Sequence, residues 1–242
     1  MIRLTLAQEP PSFQKRVREP GENVLALLAG KAPPHARSGP RLTATKKLGT
    51  RTVKKTFDDY PAYWQRCIDD LYDAYRGICA YYCFRLERAT LPQVDHFVAK
   101  KDHGRRLAYE WSNYRLACGY ANACKNDHPD VLDPASIVDG EFQIDLLTLD
   151  VRADPALPVA RRALVEQSIT RLKLREGRAL EVRQRAMRHF RAGNVQFGFL
   201  AEDHPFLARE LARQGARTPA RLPPIPSAIV SAVEPELITT SP

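Results

Sequence analysis

Clustered prolines at both ends of the chain restrict where regular secondary structure can form. Proline fixes its own φ angle and lacks an amide donor, so neighbouring prolines interrupt helices and strands alike. The clusters are Pro10–Pro11 and Pro33–Pro34 near the start and Pro223–Pro224 near the end, with further single prolines around them. We therefore expect an irregular, proline-rich arm over residues 1–56, a folded domain over 57–217 and a poorly ordered tail over 218–242.

Two parts of the expected arm stand out from its proline-rich background. The segment Glu22–Leu28 is rich in Val and Leu, which suits one helical turn or a peptide that docks to a partner. A basic stretch follows, made of Lys46, Lys47, Arg51, Lys54 and Lys55. It is either a solvated linker or a strand that contacts phosphates.

The composition is that of an ordinary globular protein with a basic surface. Hydrophobic residues make up 44% of the chain and charged residues 27%, while the net charge is +9 and the isoelectric point about 9.5. A positive excess of this size favours polyanionic partners. Because the chain has no secretory signal at its start and no apolar run of about 20 residues, we expect a cytoplasmic protein without a membrane segment. Its five cysteines suit buried thiols or metal ligands better than disulfides in that compartment.

Apolar periodicity predicts helices on either side of a central segment. A helix is expected over 61–76, where Trp64, Ile68, Leu71 and Tyr75 recur at helical spacing before Gly77. A helical pair is expected from Val159 to Arg175 and from Ala179 to Ala192, joined near Gly177. Residues 142–149 suit a strand or a short helix, and residues 78–128 have short strand-like runs. The predicted fold class is α+β, mostly helical.

The central segment holds the residues with the clearest chemistry. Asp95 and His96 are adjacent at the end of a strand-like run. A carboxylate is a hard ligand that suits Mg²⁺ or Mn²⁺, and a neutral imidazole with a reference pKa near 6.5 can take a proton from water at cellular pH. Together they suit metal-assisted hydrolysis of a phosphodiester, although an isolated Asp-His pair is a weak signal.

The motifs around this pair resemble those of a known superfamily. In order, they are Cys79-x-Tyr81, Asp95-His96-Phe97-x-x-Lys100, Trp111-Ser112-Asn113-x-x-Leu116-Ala117-Cys118 and Asn122-x-x-Lys125. This order and spacing resembles the HNH endonuclease superfamily. It is closest to the HNH nucleases encoded beside an ATPase in two-gene Septu-like and retron-associated phage-defence systems. The resemblance covers residues 77–125 and is weaker through the helical segment that follows.

The resemblance implies a ββα-metal motif with named roles for its residues. His96 would end the first strand, Asn113 would lie in the connecting loop, Arg115 to Cys118 would form the second strand, and a helix would begin near Gly119. The implied metal ligands for Mg²⁺ or Mn²⁺ are Asp95 and Asn122. The implied catalytic residues are His96 as general base, Asn113 orienting the imidazole and tightening the loop, and Lys125 pointing at a phosphate. DNA contacts are expected from Lys100, Lys101, Arg105 and Arg106.

Several of these residues also have simpler interpretations. Asn113 can cap a turn, Asn122 can cap the helix start, and Lys125 can be a solvated charge. Taken singly these interpretations are favoured, whereas the combined order and spacing favours the nuclease.

The cysteines depart from the superfamily pattern. Relatives carry two Cys-x-x-Cys pairs that bind a structural zinc, whereas here the second cysteine of each pair is displaced, which leaves Cys79, Cys83, Cys118 and Cys124. Either these four thiols form a distorted zinc site or the zinc has been lost and the thiols are buried as small apolar groups.

The sequence therefore predicts a metal-dependent HNH endonuclease that cuts DNA. The resemblance adds a role as effector of a phage-defence system, controlled by an ATPase partner to which the arm docks. The alternative is a catalytically inactive HNH-fold subunit that binds DNA within a larger complex. The charge argument applies equally to an RNA-directed protein.

Overall fold

The computed structural model describes residues 1–36, 41–90 and 92–224, and within them the chain has an α+β fold. Its helices are α1 (Glu19–Leu28), α2 (Ile68–Ala74), α3 (Gly119–Lys125), α4 (Val159–Arg171), α5 (Gly177–Arg191), α6 (Phe197–Asp203) and α7 (Pro205–Arg213). Three two-stranded antiparallel sheets pair β1 (Thr45–Leu48) with β2 (Arg51–Lys54), β3 (Gln93–His96) with β4 (Tyr114–Ala117), and β5 (Phe142–Ile144) with β6 (Val151–Ala153). No helix among the described residues is both long and apolar enough to span a bilayer.

The N-terminal segment belongs to the core, so the prediction of an irregular arm is wrong for this part. A π-helical stretch, Gln14–Arg18, runs directly into α1, and the side chains of Phe13, Val17 and Val24 are fully buried. The Phe13 ring packs edge-on against Trp111 and Tyr114, with centroids 5.6 and 5.7 Å apart. Pro20 lies where the π-helical stretch passes into α1, and the chain remains helical through this position.

The basic stretch after this segment is also ordered. Residues 45–54 form the β1–β2 hairpin, so the linker interpretation is wrong. The predicted helix over 61–76 is divided into a 3-10 segment, Tyr63–Cys67, and α2. The predicted face is confirmed in part, since Leu71 and Tyr75 are buried while Trp64 and Ile68 are half-buried.

The C-terminal half contains the predicted helical pair and two helices that periodicity did not indicate. The pair corresponds to α4 and α5, and Gly177 at the joint has a φ of +51°. The strand-like run near residue 142 forms β5. The additional helices α6 and α7 follow, and the buried Glu210 carboxylate of α7 accepts a hydrogen bond from the Ile144 amide of β5 at 3.1 Å. This bond ties the last helix to the β5–β6 sheet.

The predicted tail begins as ordered chain. Pro219–Arg221 forms a 3-10 turn, Leu222 is buried, and the carbonyl of Pro223 accepts a hydrogen bond from Arg191 at 3.0 Å. The rest of the predicted tail, residues 225–242, lies outside the described residues.

Replacing Gly21 with alanine should test the packing of α1 on the core. A Cβ atom at Gly21 would lie 2.1 Å from Cγ of the buried Tyr109 ring. We expect Gly21→Ala to lower the free energy of unfolding by about 1–3 kcal/mol, as overpacked core substitutions do. Gly198→Ala in α6 is the matched control, because nothing lies within 4 Å of its added Cβ. Equal urea midpoints for the two variants would contradict the packing described here.

Candidate active site

The segment that carries the predicted chemistry folds as strand, loop, strand and helix. β3 ends at His96, which pairs with Tyr114, and Asp95 pairs with Arg115. α3 begins directly after β4. There the sulfur of Cys118 accepts a hydrogen bond from the Ala121 amide at 3.4 Å. The order of these elements and their bounds agree with the sequence prediction to within one residue.

One cleft brings most of the predicted site residues together. It has a volume of about 430 Å³ and is lined by Asp95, His96 and Asn122, together with Lys100, Lys101 and Arg105. Phe57 and Asp58 form another part of its wall. Of the remaining predicted residues, Arg106 is exposed outside this lining, and Asn113 and Lys125 are buried beneath it.

The His96 imidazole is held between two aromatic rings in a defined protonation state. Trp64 and Tyr114 pack edge-on against it, with centroids 5.0 and 5.1 Å away, and the residue is 5% exposed. Its Nε2 lies 3.0 Å from the carbonyl oxygen of Ala108, which can only accept a hydrogen bond. Nε2 therefore carries the proton, and Nδ1 keeps its lone pair.

Burial keeps this imidazole neutral. Removal from water, and secondly the positive charge of Lys100, lower the pKa of His96 to about 3. Lys100 itself lies with Nζ 4.0 Å from the centroid of the Trp64 ring. At cellular pH the His96 side chain is therefore a neutral imidazole near the positive charge of Lys100.

The Asp95 carboxylate has one oxygen engaged and one available. Oδ2 accepts a hydrogen bond from the Tyr81 hydroxyl and lies 3.6 Å from the Lys125 ammonium. Oδ1 accepts no hydrogen bond from the described part of the chain. It is also not one of the fully buried polar atoms without a partner, so it remains accessible. Burial raises the pKa of Asp95, an effect opposed by the charge of Lys125.

Asn122 supplies a second oxygen to the cleft. Its Nδ2 donates to Oε1 of Gln93 at 2.8 Å, which fixes the amide and leaves Oδ1 without a hydrogen bond from the residues that the structure covers. A carboxylate oxygen and an amide oxygen lining one cleft are ligands that a hard divalent cation accepts. The donors present therefore fit Mg²⁺ or Mn²⁺.

Lys125 does not point at the cleft, and the expectation that it contacts a phosphate disagrees with the structure. The residue is fully buried, and Nζ donates to the carbonyl oxygens of His96 at 2.7 Å and Phe97 at 2.5 Å. It lies in the last turn of α3 and faces the end of β3, so the ammonium is enclosed by the hairpin. Its position makes it the counterion of Asp95.

Asn113 braces the loop of the hairpin without touching the imidazole. Its Oδ1 accepts from the Val98 amide at 2.8 Å, and Nδ2 donates to the carbonyls of Val98 and Leu107, each at 3.1 Å. The predicted tightening of the loop agrees with these contacts. Orientation of His96 is indirect, because the carbonyl that holds the imidazole belongs to Ala108, the residue after Leu107.

Two contributors to the site were not assigned to it from the sequence. The helical periodicity places Trp64 only in a core stripe, and the motif that contains Tyr81 gives this tyrosine no role in the site. The position of Tyr81 in the Cys-x-Tyr motif is the sequence feature that could have indicated its bond to Asp95. Nothing in the sequence indicated that Trp64 would contact His96, since 32 positions separate them.

The four central cysteines do not gather around one point. Cys79 and Cys118 are close enough to shift each other's pKa, whereas the sulfur of Cys83 is directed at the carbonyls of Ala80 and Tyr81, at 3.9 and 3.8 Å. Within residues 1–36, 41–90 and 92–224, no three His, Cys, Asp or Glu side chains are grouped as a metal would require.

A Lys125→Met substitution should show that this lysine is structural. It would leave the buried Asp95 carboxylate without its counterion, and we expect a loss of about 3–5 kcal/mol in the free energy of unfolding. Adding Asp95→Asn should recover part of that loss, because the unpaired charge is then removed. The control is Lys101→Met, which breaks the exposed ion pair with Asp127 and should cost less than about 1 kcal/mol. Urea unfolding without added metal measures all three, and an undiminished stability in Lys125→Met would contradict the assignment.

Acid should destabilise the protein through His96. Its pKa is lowered in the folded state, so the unfolded chain binds the proton first and stability falls as pH decreases from about 6.5 toward 3. The expected slope from this residue is about 1.4 kcal/mol per pH unit. His96→Gln should remove that contribution, and unfolding free energies measured between pH 7 and 4.5 compare the two proteins. Parallel curves would contradict the burial of an uncharged imidazole.

Comparison with protein-family models, with curated proteins and with solved structures finds no match for this chain.

Proposed function

We propose that this protein is a metal-dependent endonuclease of the HNH type that hydrolyses DNA phosphodiesters. The observation that supports this most is the convergence of Asp95, His96 and Asn122 on one cleft with basic residues in its wall. The strand, loop, strand and helix that carry them follow in the order that the resemblance implies.

His96 acts as the general base. Nδ1 has the free lone pair, because Nε2 is committed to the Ala108 carbonyl. Nδ1 takes a proton from the attacking water, whose oxygen bonds to phosphorus. The bond from phosphorus to the 3′-oxygen breaks at the same time, and the leaving oxygen takes a proton from solvent. A pKa near 3 makes the imidazole a weak base in the empty cleft, where Lys100 adds to the effect of burial. An entering phosphate carries negative charge, which opposes the effect of the positive Lys100 on the pKa of His96.

Asp95 and Asn122 would hold the divalent cation through their Oδ1 atoms. Bound there, Mg²⁺ or Mn²⁺ would neutralise charge on the phosphate oxygen and on the leaving oxygen. Tyr81 and Lys125 keep Asp95 in place, and Gln93 does the same for Asn122. These contacts orient both oxygens before the substrate arrives, which lowers the reorganisation required in the transition state.

The cations of the cleft wall position the substrate. Lys100 and Arg105 line the cleft and can pair with backbone phosphates, and Lys101 lies there with its partner Asp127. Phosphate contacts fix the position of DNA without reading its bases. The proposed enzyme is therefore largely indifferent to sequence.

The resemblance extends the proposal to a cytoplasmic phage-defence effector that an ATPase subunit controls. Since Phe13, Val17 and Val24 are buried, the N-terminal segment would meet such a partner only through the half-buried side chains of α1. A flexible docking peptide over these residues is excluded by their packing in the core.

The test is cleavage of a supercoiled plasmid with Mg²⁺ or Mn²⁺. The parent should nick the plasmid, and His96→Ala should lower the rate by about 10²–10⁴-fold, as expected for loss of a general base. Asn122→Ala should raise the metal concentration needed for half-maximal cutting. His189→Ala, an exposed histidine of α5, is the matched control and should cut like the parent. Undiminished cutting by a folded His96→Ala protein would refute the mechanism.

One observation favours a second candidate, a catalytically inactive subunit that binds DNA. Asp95 is only 4% exposed, and Tyr81 and Lys125 already engage one of its oxygens. If the parent binds DNA but fails to cut it with either metal, even with the ATPase partner present, this candidate replaces the enzyme.

A further inference from the structure

The β1–β2 hairpin is an exposed and strongly basic element. Residues 41–55 contain six basic residues and no Asp or Glu. All strand positions are exposed except Val53, which is half-buried. The hairpin therefore presents positive charge to solvent along most of its length.

The turn makes this hairpin a compact projection. Leu48 pairs with Arg51, which leaves a two-residue connection of Gly49 and Thr50. Gly49 has a φ of +61°, a conformation that suits glycine at the first position of a tight hairpin turn. The Leu48 side chain at the tip is 66% exposed.

The two faces of the hairpin differ. On the inner face, Lys46 bonds to Asp59 and pairs across the strands with the half-buried Val53. On the outer face, Lys47 pairs with Thr52 and Lys54 pairs with Thr45, so the two lysines lie diagonally across the strands. Neither Lys47 nor Lys54 has an ion-pair partner in the part of the chain that the structure describes. Two unpaired ammonium groups on one polar face suit neighbouring anions.

The hairpin connects directly to the wall of the cleft. After β2, Lys55 lies with Nζ 5.3 Å from the centroid of the Tyr60 ring, and the next residues, Phe57 and Asp58, line the cleft. Lys100 and Arg105 line the same cleft from the β3–β4 loop. Basic groups thus occur on two separate segments beside the proposed reaction centre.

We infer that the β1–β2 hairpin is a nucleic-acid arm that holds the phosphate backbone of duplex DNA beside the cleft, through Lys47 and Lys54. The choice of DNA rests on the proposed function. A protein partner is disfavoured by the composition, because interface cores are enriched in aromatic residues and the strands carry none. A surface of lysine and threonine instead suits phosphate oxygens, which accept from both side chains.

The test is equilibrium binding of a short fluorescent DNA duplex in EDTA over a range of salt concentrations. The double substitution Lys47→Gln and Lys54→Gln removes two charges while keeping polar side chains of similar length. If each lysine contacts one phosphate, the slope of log K against log salt should fall in magnitude by about 2, and binding near 0.1 M salt should weaken by about tenfold or more. The matched control is Arg185→Gln with Arg188→Gln, which removes two exposed charges from α5.

The inference fails if the hairpin variant keeps the parent slope, or if the α5 variant loses as much. Hairpin-dependent binding of an RNA duplex without binding of the DNA duplex would also overturn it. A preserved melting temperature in each variant shows that the fold is intact.

Because EDTA prevents cleavage, the binding measurement does not depend on whether the protein is a nuclease. Hairpin-dependent binding by a protein that never cuts would refute the nuclease alone. Metal-dependent cutting by a parent whose binding ignores the hairpin would refute the arm alone.

Discussion

The arrangement of the candidate site depends on a buried ammonium group. Lys125 reaches from the last turn of α3 to the carbonyls of His96 and Phe97 and lies beside the Asp95 carboxylate. This side chain fixes the helix that carries Asn122 against the strand that carries Asp95 and His96. A buried cation is unfavourable unless it is paired and hydrogen-bonded, and here both conditions are met. The two oxygens proposed for the metal thus owe their common position to a residue that does not touch the cleft.

Aromatic packing has the corresponding role for the imidazole. Trp64 arrives from the segment before α2 and Tyr114 from β4, and Phe13 supports Tyr114 from the N-terminal segment. These rings exclude water, which explains why the imidazole stays neutral, and they leave only its edge toward the cleft. The same contacts join three parts of the chain that are far apart in sequence.

Much of the central motif could be predicted from sequence, because its order of residues is local. The end of β3 at His96, the loop position of Asn113 and the start of α3 near Gly119 agree with the prediction. Lys125 was misassigned, because its spacing of three from Asn122 does not reveal which side of a seven-residue helix meets the hairpin. Proline content is a poor guide to the N-terminal segment, because the chain is helical on both sides of Pro20. The contacts of Trp64 with His96 and of Phe13 with Trp111 are tertiary, and no local pattern encodes them.

The π-helical entry to α1 has a consequence for any attempt to isolate the catalytic part of the chain. Boundaries drawn from proline content would begin near residue 57 and discard Phe13 and Val17, both of which are fully buried. Trp111 and Tyr114 would then lose their contact with Phe13. Tyr114, which packs against His96, would become more exposed to water. A shortened protein that keeps the packing around His96 must therefore begin upstream of Phe13.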